Sequence, residues 1–263
     1  MDLKYTDKTI VVTGGSKGLG FACAKALLNE GAQVALVSRS QENLSKAAEK
    51  LNNNSNGEAH TFVCDLKDPK EIEALGYRVL EKFKKIDGLL LNAGGPPAGT
   101  ALAFDDAAWA EALDTTFMSV VRLLRIFIPV MRENKYGRIV AIESSSVKQS
   151  IDNLALSNAI RPAVVAYLKT LSAEVAADNV LINTLLPGPT NTERLQSFLK
   201  LWATKANKTI EQVTEARQKQ IPMGRFGEPQ EFAAFAAFLL SEKNSYTTGQ
   251  SIAVDGGYTK TVF

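Results

Sequence analysis

Histidine is nearly absent from this sequence of 263 residues: there is one, His60. Cysteine occurs twice, at Cys23 and Cys64, in no motif. A lone imidazole with no thiol pair beside it does not supply the three or four ligands of a transition-metal site, so no metal is expected. The cysteines are expected as buried, reduced thiols of a cytoplasmic protein. No apolar run reaches the roughly 18 residues of a membrane span. The start, MDLKYTDKTIVV, has no apolar core of a secretory leader. Excess charge is also missing. A net charge of +2 gives no basic footprint, and neither nucleic acid nor a membrane is expected as a partner.

What is present is an ordinary globular composition, 45% hydrophobic and 22% charged, with alternating element types. Short runs rich in Val, Ile and Leu occupy 9–12, 33–37, 59–64, 88–91, 138–142, 181–185 and 251–254. They lack strict alternation, as strands buried on both faces do. Helical patterns lie between them at 18–30, 41–52, 69–83, 106–131, 157–177 and 229–240. This alternation predicts an α/β fold: one doubly wound, parallel, seven-stranded sheet of Rossmann type, in a single domain over 1–263. Polar and proline-rich turns punctuate it at 52–57 and 94–100.

The segment 192–220 breaks the pattern. Leu195, Phe198, Leu199 and Trp202 share one helix face, and Thr209 with Gln212 forms a capping-box signature. A helical pair after a strand's C-terminal end is expected as a small substrate lid. A packed surface excursion would look the same.

The first strand runs into Gly14-Gly15-Ser16-Lys17-Gly18-Leu19-Gly20, and a helix follows. Glycines there let a pyrophosphate approach the backbone, and the helix N-terminus offers free N–H groups to it. The second strand ends Ser38-Arg39 with no acid to hold a ribose diol. Lys17 and Arg39 suit a 2′-phosphate instead, so the expected cofactor is NADP(H).

With Thr13 ahead of it, this spacing resembles the short-chain dehydrogenase/reductase family, whose motif is Thr-Gly-x-x-x-Gly-x-Gly. Further motifs extend the resemblance over nearly the whole chain. Asp65-Leu66 is similar to the family's adenine contact, Asn92-Ala93-Gly94 to its Asn-Ala-Gly element, and Pro187-Gly188-Pro189-Thr190-Asn191-Thr192 to Pro-Gly-x-x-x-Thr. Gly224–Pro229 and Thr248–Gly257 resemble its C-terminal signatures. The resemblance implies cofactor contacts from Gly14, Ser16, Lys17, Gly18, Leu19, Gly20, Ser38, Arg39, Asp65, Leu66, Asn92, Ala93, Gly94, Pro187, Gly188, Thr190 and Thr192. It also implies a homotetramer or homodimer.

The family's catalytic Asn, Ser, Tyr and Lys are not all matched. The resemblance sets its Ser on Ser144, its Tyr on Ser157, its Lys on Arg161 and its Asn on Thr116. Ser-x-x-x-Arg in place of Tyr-x-x-x-Lys looks like a divergent bacterial branch, 3-oxoacyl-carrier-protein reductase-like. A serine hydroxyl is a far weaker acid than a tuned phenol, and arginine relays no proton. Arginine does stabilise an oxyanion or clamp a carboxylate. Lys148, on the loop leaving the fifth strand, is a further candidate, and Glu143 is expected to be paired or in the cleft.

The expected function is NADP(H)-dependent hydride transfer to a carbonyl or a conjugated enone or unsaturated acid. The substrate is expected to be small, with an apolar body under the 195–202 face and an acidic or carbonyl group near Arg161 and Lys148. The rival is a catalytically silent NADP(H)-binding sensor or scaffold.

Overall fold

The computed structural model describes residues 2–53 and 55–262. Asn54, in the polar turn, and Met1 lie outside them. Seven strands form one parallel sheet in the order β3-β2-β1-β4-β5-β6-β7. They are β1 Thr9–Thr13, β2 Gln33–Ser38, β3 Glu58–Val63, β4 Gly88–Leu91, β5 Gly137–Ile142, β6 Val180–Pro187 and β7 Ser251–Val254. The predicted doubly wound sheet is the one observed.

The unbroken apolar runs of the strands follow from cover on both faces. Ile10 and Val12 of β1 pack with α1 Gly18–Asn29, α2 Gln41–Asn52 and α9 Pro229–Leu240. Val11, between them, packs with α3 Pro69–Phe83, α5 Ser119–Glu133 and α6 Ala155–Val175 on the opposite face. Successive side chains of a strand alternate in direction, so each face needs its own apolar set.

Helices with explicit start signals lie where the sequence predicts them. The Ser40 hydroxyl accepts from the Asn43 N–H at the head of α2. The Asp68 carboxylate accepts from Lys70 and Glu71 ahead of α3, and Pro69 takes the first turn. The predicted helix over 106–131 is not continuous. It divides into α4 Asp106–Leu113, a π-helical turn Asp114–Met118, and α5. The Thr115 hydroxyl donates back to the Glu111 carbonyl and the Ser119 hydroxyl to that of Thr115, and such back-bonding loosens the regular ladder.

The segment after β6 forms α7 Glu193–Ala206 and α8 Ile210–Gln218, the latter with the Thr209–Gln212 capping box. Here one expectation is corrected. Leu195, Leu199 and Ala203 are buried against Val213, Ile221 and Phe226, so α8 and the loop after it take up most of the face expected to cover a substrate. Phe198 and Trp202 remain half-buried, stacked on one another at 5.6 Å.

The strand order reverses between β1 and β4, whose neighbours β2 and β5 lead away in opposite directions. Loops leaving the C-terminal ends of β1 and β4 therefore diverge and open a crevice there.

Candidate active site

The crevice holds a cavity of about 420 Å³. Gly14, Ser38, Arg39, Asp65, Leu66, Asn92, Ala93, Gly94 and Thr116 line it, together with Gly95, Pro96 and Pro97. Strand ends from β1 to β4 thus bring eight of the predicted dinucleotide residues together, and the others lie outside the cavity wall. Gly14 adopts φ +58°, and a Cβ there would lie 2.5 Å from the Asn92 carbonyl oxygen. A Cβ on Gly20 would overlap the Gly14 carbonyl and lie 2.8 Å from Asn92 Nδ2. Only glycine permits this close approach of loop, helix and neighbouring strand.

The same atoms tie β1 to β4. The Asn92 backbone N–H donates to Thr13 Oγ1 at 2.8 Å, and the Asn92 amide donates to the Gly14 carbonyl at 3.2 Å. Ser16 and Ser38 join their hydroxyls at 3.1 Å across the mouth of the adenosine side. Beside them Arg39 is the basic side chain on the cavity wall at the end of β2. Ser38 and Arg39 fit a 2′-phosphate, and the glycine cradle fits a pyrophosphate.

Lys17 is not among the cavity residues. Its ammonium lies 3.5 Å from Glu193 of α7, both side chains exposed. A Cβ on Gly18 would reach van der Waals distance of the Thr192 side chain, so the turn after β6 lies near the glycine loop. Pro187 ends β6, Gly188 packs on Asp255, and the Thr190 hydroxyl donates to the Gly188 carbonyl while its backbone bridges to Gly227. Leu19 stands at the head of α1, half-buried.

Beyond β5 the arrangement changes character. Arg161 and Ser157 sit one turn apart in α6, and the Arg161 Nε donates to the Ser157 hydroxyl at 3.0 Å. The guanidinium turns inward: its Nη1 donates to Glu143 at 2.8 Å, with the two side chains 9% and 4% exposed. Burial pushes the Glu143 carboxyl above its ordinary range, and the Arg161 charge opposes that. Ser146, which the motifs did not single out, is buried with its hydroxyl 3.3 Å from that of Ser157. Ser144 is half-buried and accepts from the Ser146 N–H at 3.1 Å, as the cap of a short 3₁₀ turn. Lys148 ends that turn, half-buried; its backbone N–H donates to the Ser145 carbonyl, and its ammonium has no hydrogen bond or ion pair among the described residues. Thr116 lies in the π turn, 2% exposed, and its hydroxyl has no partner among the described residues.

Arg194, in the first turn of α7, also escapes the motif reading. Its guanidinium lies against Gly95 and 5.4 Å from the Phe198 ring centroid. One signal was available. A cation in a helix's first turn opposes the dipole, so something else must favour it there.

A family model described as enoyl-(acyl carrier protein) reductase matches residues 14–259. The chain belongs to the short-chain dehydrogenase/reductase family. It is 31% identical over 252 residues to a 3-oxoacyl-[acyl-carrier-protein] reductase of Vibrio cholerae, covering 95% of this chain and 96% of the relative. The structure of L-sorbose reductase from Gluconobacter frateurii, complexed with NADPH and L-sorbose, superposes with a TM-score of 0.95 at 30% identity over 100% of both chains. An NADPH-dependent reductase involved in bacilysin biosynthesis superposes with a TM-score of 0.91 at 26% identity, covering 97% of this chain and 99% of that one. Among the described residues no helix is long and apolar enough to cross a membrane.

Proposed function

We propose that this member of the family is an NADP(H)-dependent oxidoreductase acting on a carbonyl or conjugated acceptor, with a site altered at the family's Tyr and Lys positions. The observation that carries the reading is the buried chain from Glu143 through Arg161 to Ser157. Arginine has donors only, so the Arg161 Nε–H occupies a lone pair of the Ser157 oxygen. The hydroxyl proton of Ser157 is then left to donate, to the Ser146 hydroxyl or to an acceptor oxygen. A guanidinium behind the hydroxyl strengthens that donation. Glu143 neutralises the buried charge, so Arg161 serves the acceptor through Ser157 instead of touching it.

Such a group stabilises developing negative charge without giving up a proton. A conjugated acceptor suits it best, because an enolate needs stabilisation at oxygen and takes its proton elsewhere. Ser144, near the same strand end, supports the acceptor oxygen. The unpartnered Thr116 hydroxyl stands ready to hold a water. When bound, the nicotinamide supplies the hydride. The NADPH complex of the sorbose reductase, together with Arg39 and the absence of an acid at the end of β2, supports NADP(H) over NAD(H). The free thiols Cys23 and Cys64, with burial pushing both up to about 12, suit a reducing cytoplasm. A family-like homotetramer or homodimer, and a lid role for α7 and α8, belong to the same reading.

The test is NADPH oxidation by the purified protein against 3-oxoacyl thioesters, aromatic ketones and α,β-unsaturated acids, with NADH as control. Turnover that disappears in Ser157→Ala and Arg161→Ala supports the reading. Micromolar NADPH binding without turnover on any acceptor makes the protein a silent NADP(H)-binding sensor or scaffold.

A further inference from the structure

We propose that Arg194 is the residue that selects a carboxylate on the acceptor, reaching from α7 to the rim of the cavity at Gly95. The proposal deepens the oxidoreductase reading by naming the substrate class.

Arg194 is an exposed residue whose guanidinium is the end that meets Gly95. A Cβ at Gly95 would overlap one of its terminal nitrogens and lie 2.8 Å from the other. Gly95 itself lines the cavity, so the guanidinium stands at the cavity's edge where the β4 loop and α7 meet. The Phe198 ring supports the guanidinium from within α7, at 5.4 Å. A planar cation held on an aromatic ring presents its nitrogens in one orientation, as bidentate recognition of a carboxylate requires.

The charge count at this rim is uneven. Glu143 is taken by Arg161, and Glu193 lies beside Lys17. Among the described residues no carboxylate pairs with Arg194. Enclosure and the nearby Arg161 charge both lower the Arg194 pKa, as expected of a cation lacking its counter-ion. An arriving anion relieves both effects. Gly95 belongs to the argument because any side chain there would push the guanidinium off the cavity edge.

Two oxyanions can meet such a group, a carboxylate of the acceptor or the pyrophosphate of the dinucleotide. The cradle from Gly14 to Gly20 already supplies the pyrophosphate with backbone donors, and the observations favour the acceptor. The probe is phenylpyruvate against its methyl ester, titrated into the NADPH-loaded protein and followed by nicotinamide fluorescence and thermal shift. Neither readout needs turnover, so an inactive protein does not remove the test. The acid is expected to bind roughly tenfold or more tighter than the ester, a preference lost in Arg194→Ala and in Gly95→Ala and partly kept in Arg194→Lys. NADPH affinity is expected to stay within about twofold in Arg194→Ala and Arg194→Lys. A wild-type protein that does not distinguish acid from ester overturns the proposal. So does a preference that survives in Arg194→Ala, which moves the recognition to Lys148. Loss of NADPH affinity in Arg194→Ala also overturns it and assigns the group to the pyrophosphate.

Discussion

The two halves of the crevice are built from different materials. Around Gly14, Gly20 and Asn92 the dinucleotide side is made of backbone: carbonyls and N–H groups in contact, with no room for a Cβ. Across β5 the acceptor side is made of side chains, Glu143 to Arg161 to Ser157 to Ser146. A backbone cradle tolerates almost no substitution, so its sequence motif stays readable. A side-chain chain can be rebuilt with other donors as long as buried charges are balanced. That is why the family resemblance is dense on one side and breaks on the other.

The contrast is sharpest if the two sides fail differently. On the acceptor side, Glu143→Ala leaves the Arg161 charge buried and alone, and is expected to cost about 3–5 kcal/mol of stability in urea unfolding. Glu143→Gln keeps a hydrogen-bond acceptor and should cost less. On the dinucleotide side, Gly14→Val forces a side chain into the Asn92 backbone at a positive φ. NADPH binding by fluorescence titration is then expected to weaken by roughly 100-fold or more, with the circular dichroism spectrum retained. Ser157→Ala, in contrast, should leave NADPH affinity unchanged and lower kcat on any active acceptor by about 100-fold. If it weakens NADPH binding as much as Gly14→Val does, the two halves are not separate. A smaller effect is expected from Arg39→Ala, about tenfold weaker NADPH binding with NADH binding unaltered.

The smallest effect lies away from both halves, at His60 on β3. Burial holds its imidazole below the ordinary value of 6.5, with Glu58 opposing and Lys82 adding to the shift. The unfolded chain therefore binds more proton near pH 6, so stability is highest above that range and falls as pH drops through 6.5 and below. Urea midpoints at pH 5.5 and 7.5 should differ less in His60→Gln than in the parent protein.

Much of this was legible in the sequence because the signals are local. Ser40, Asp68 with Pro69, and Thr209 with Gln212 mark helix starts within four residues of chain. Ser157 and Arg161 share a helix face at a spacing of four, so their pairing needs no tertiary knowledge. The Glu143 partner required two elements to meet, and sequence reading could say only that such an acid must be paired or in the cleft. The π turn at Thr116 was hidden because apolar periodicity runs through it from α4 into α5. The Arg194 contact with Gly95 joins segments 99 positions apart, and only the misplaced charge in a first helical turn pointed to it. The partial cover of the 195–202 face has the same cause: nothing in 195–202 announces that Val213 and Phe226 arrive on Leu195 and Leu199.

Thr13 and Asn92 fasten the ends of β1 and β4 to one another, and the chain leaving Asn92 runs through Gly94 and Gly95 into two prolines. Mechanically, the two strand ends and the loop that leaves them form one stiff bracket. A pyrophosphate in the glycine cradle and an acceptor beside the β4 loop would then both be held from the same reference edge, fixed by strand spacing and not by how far a loop happens to swing.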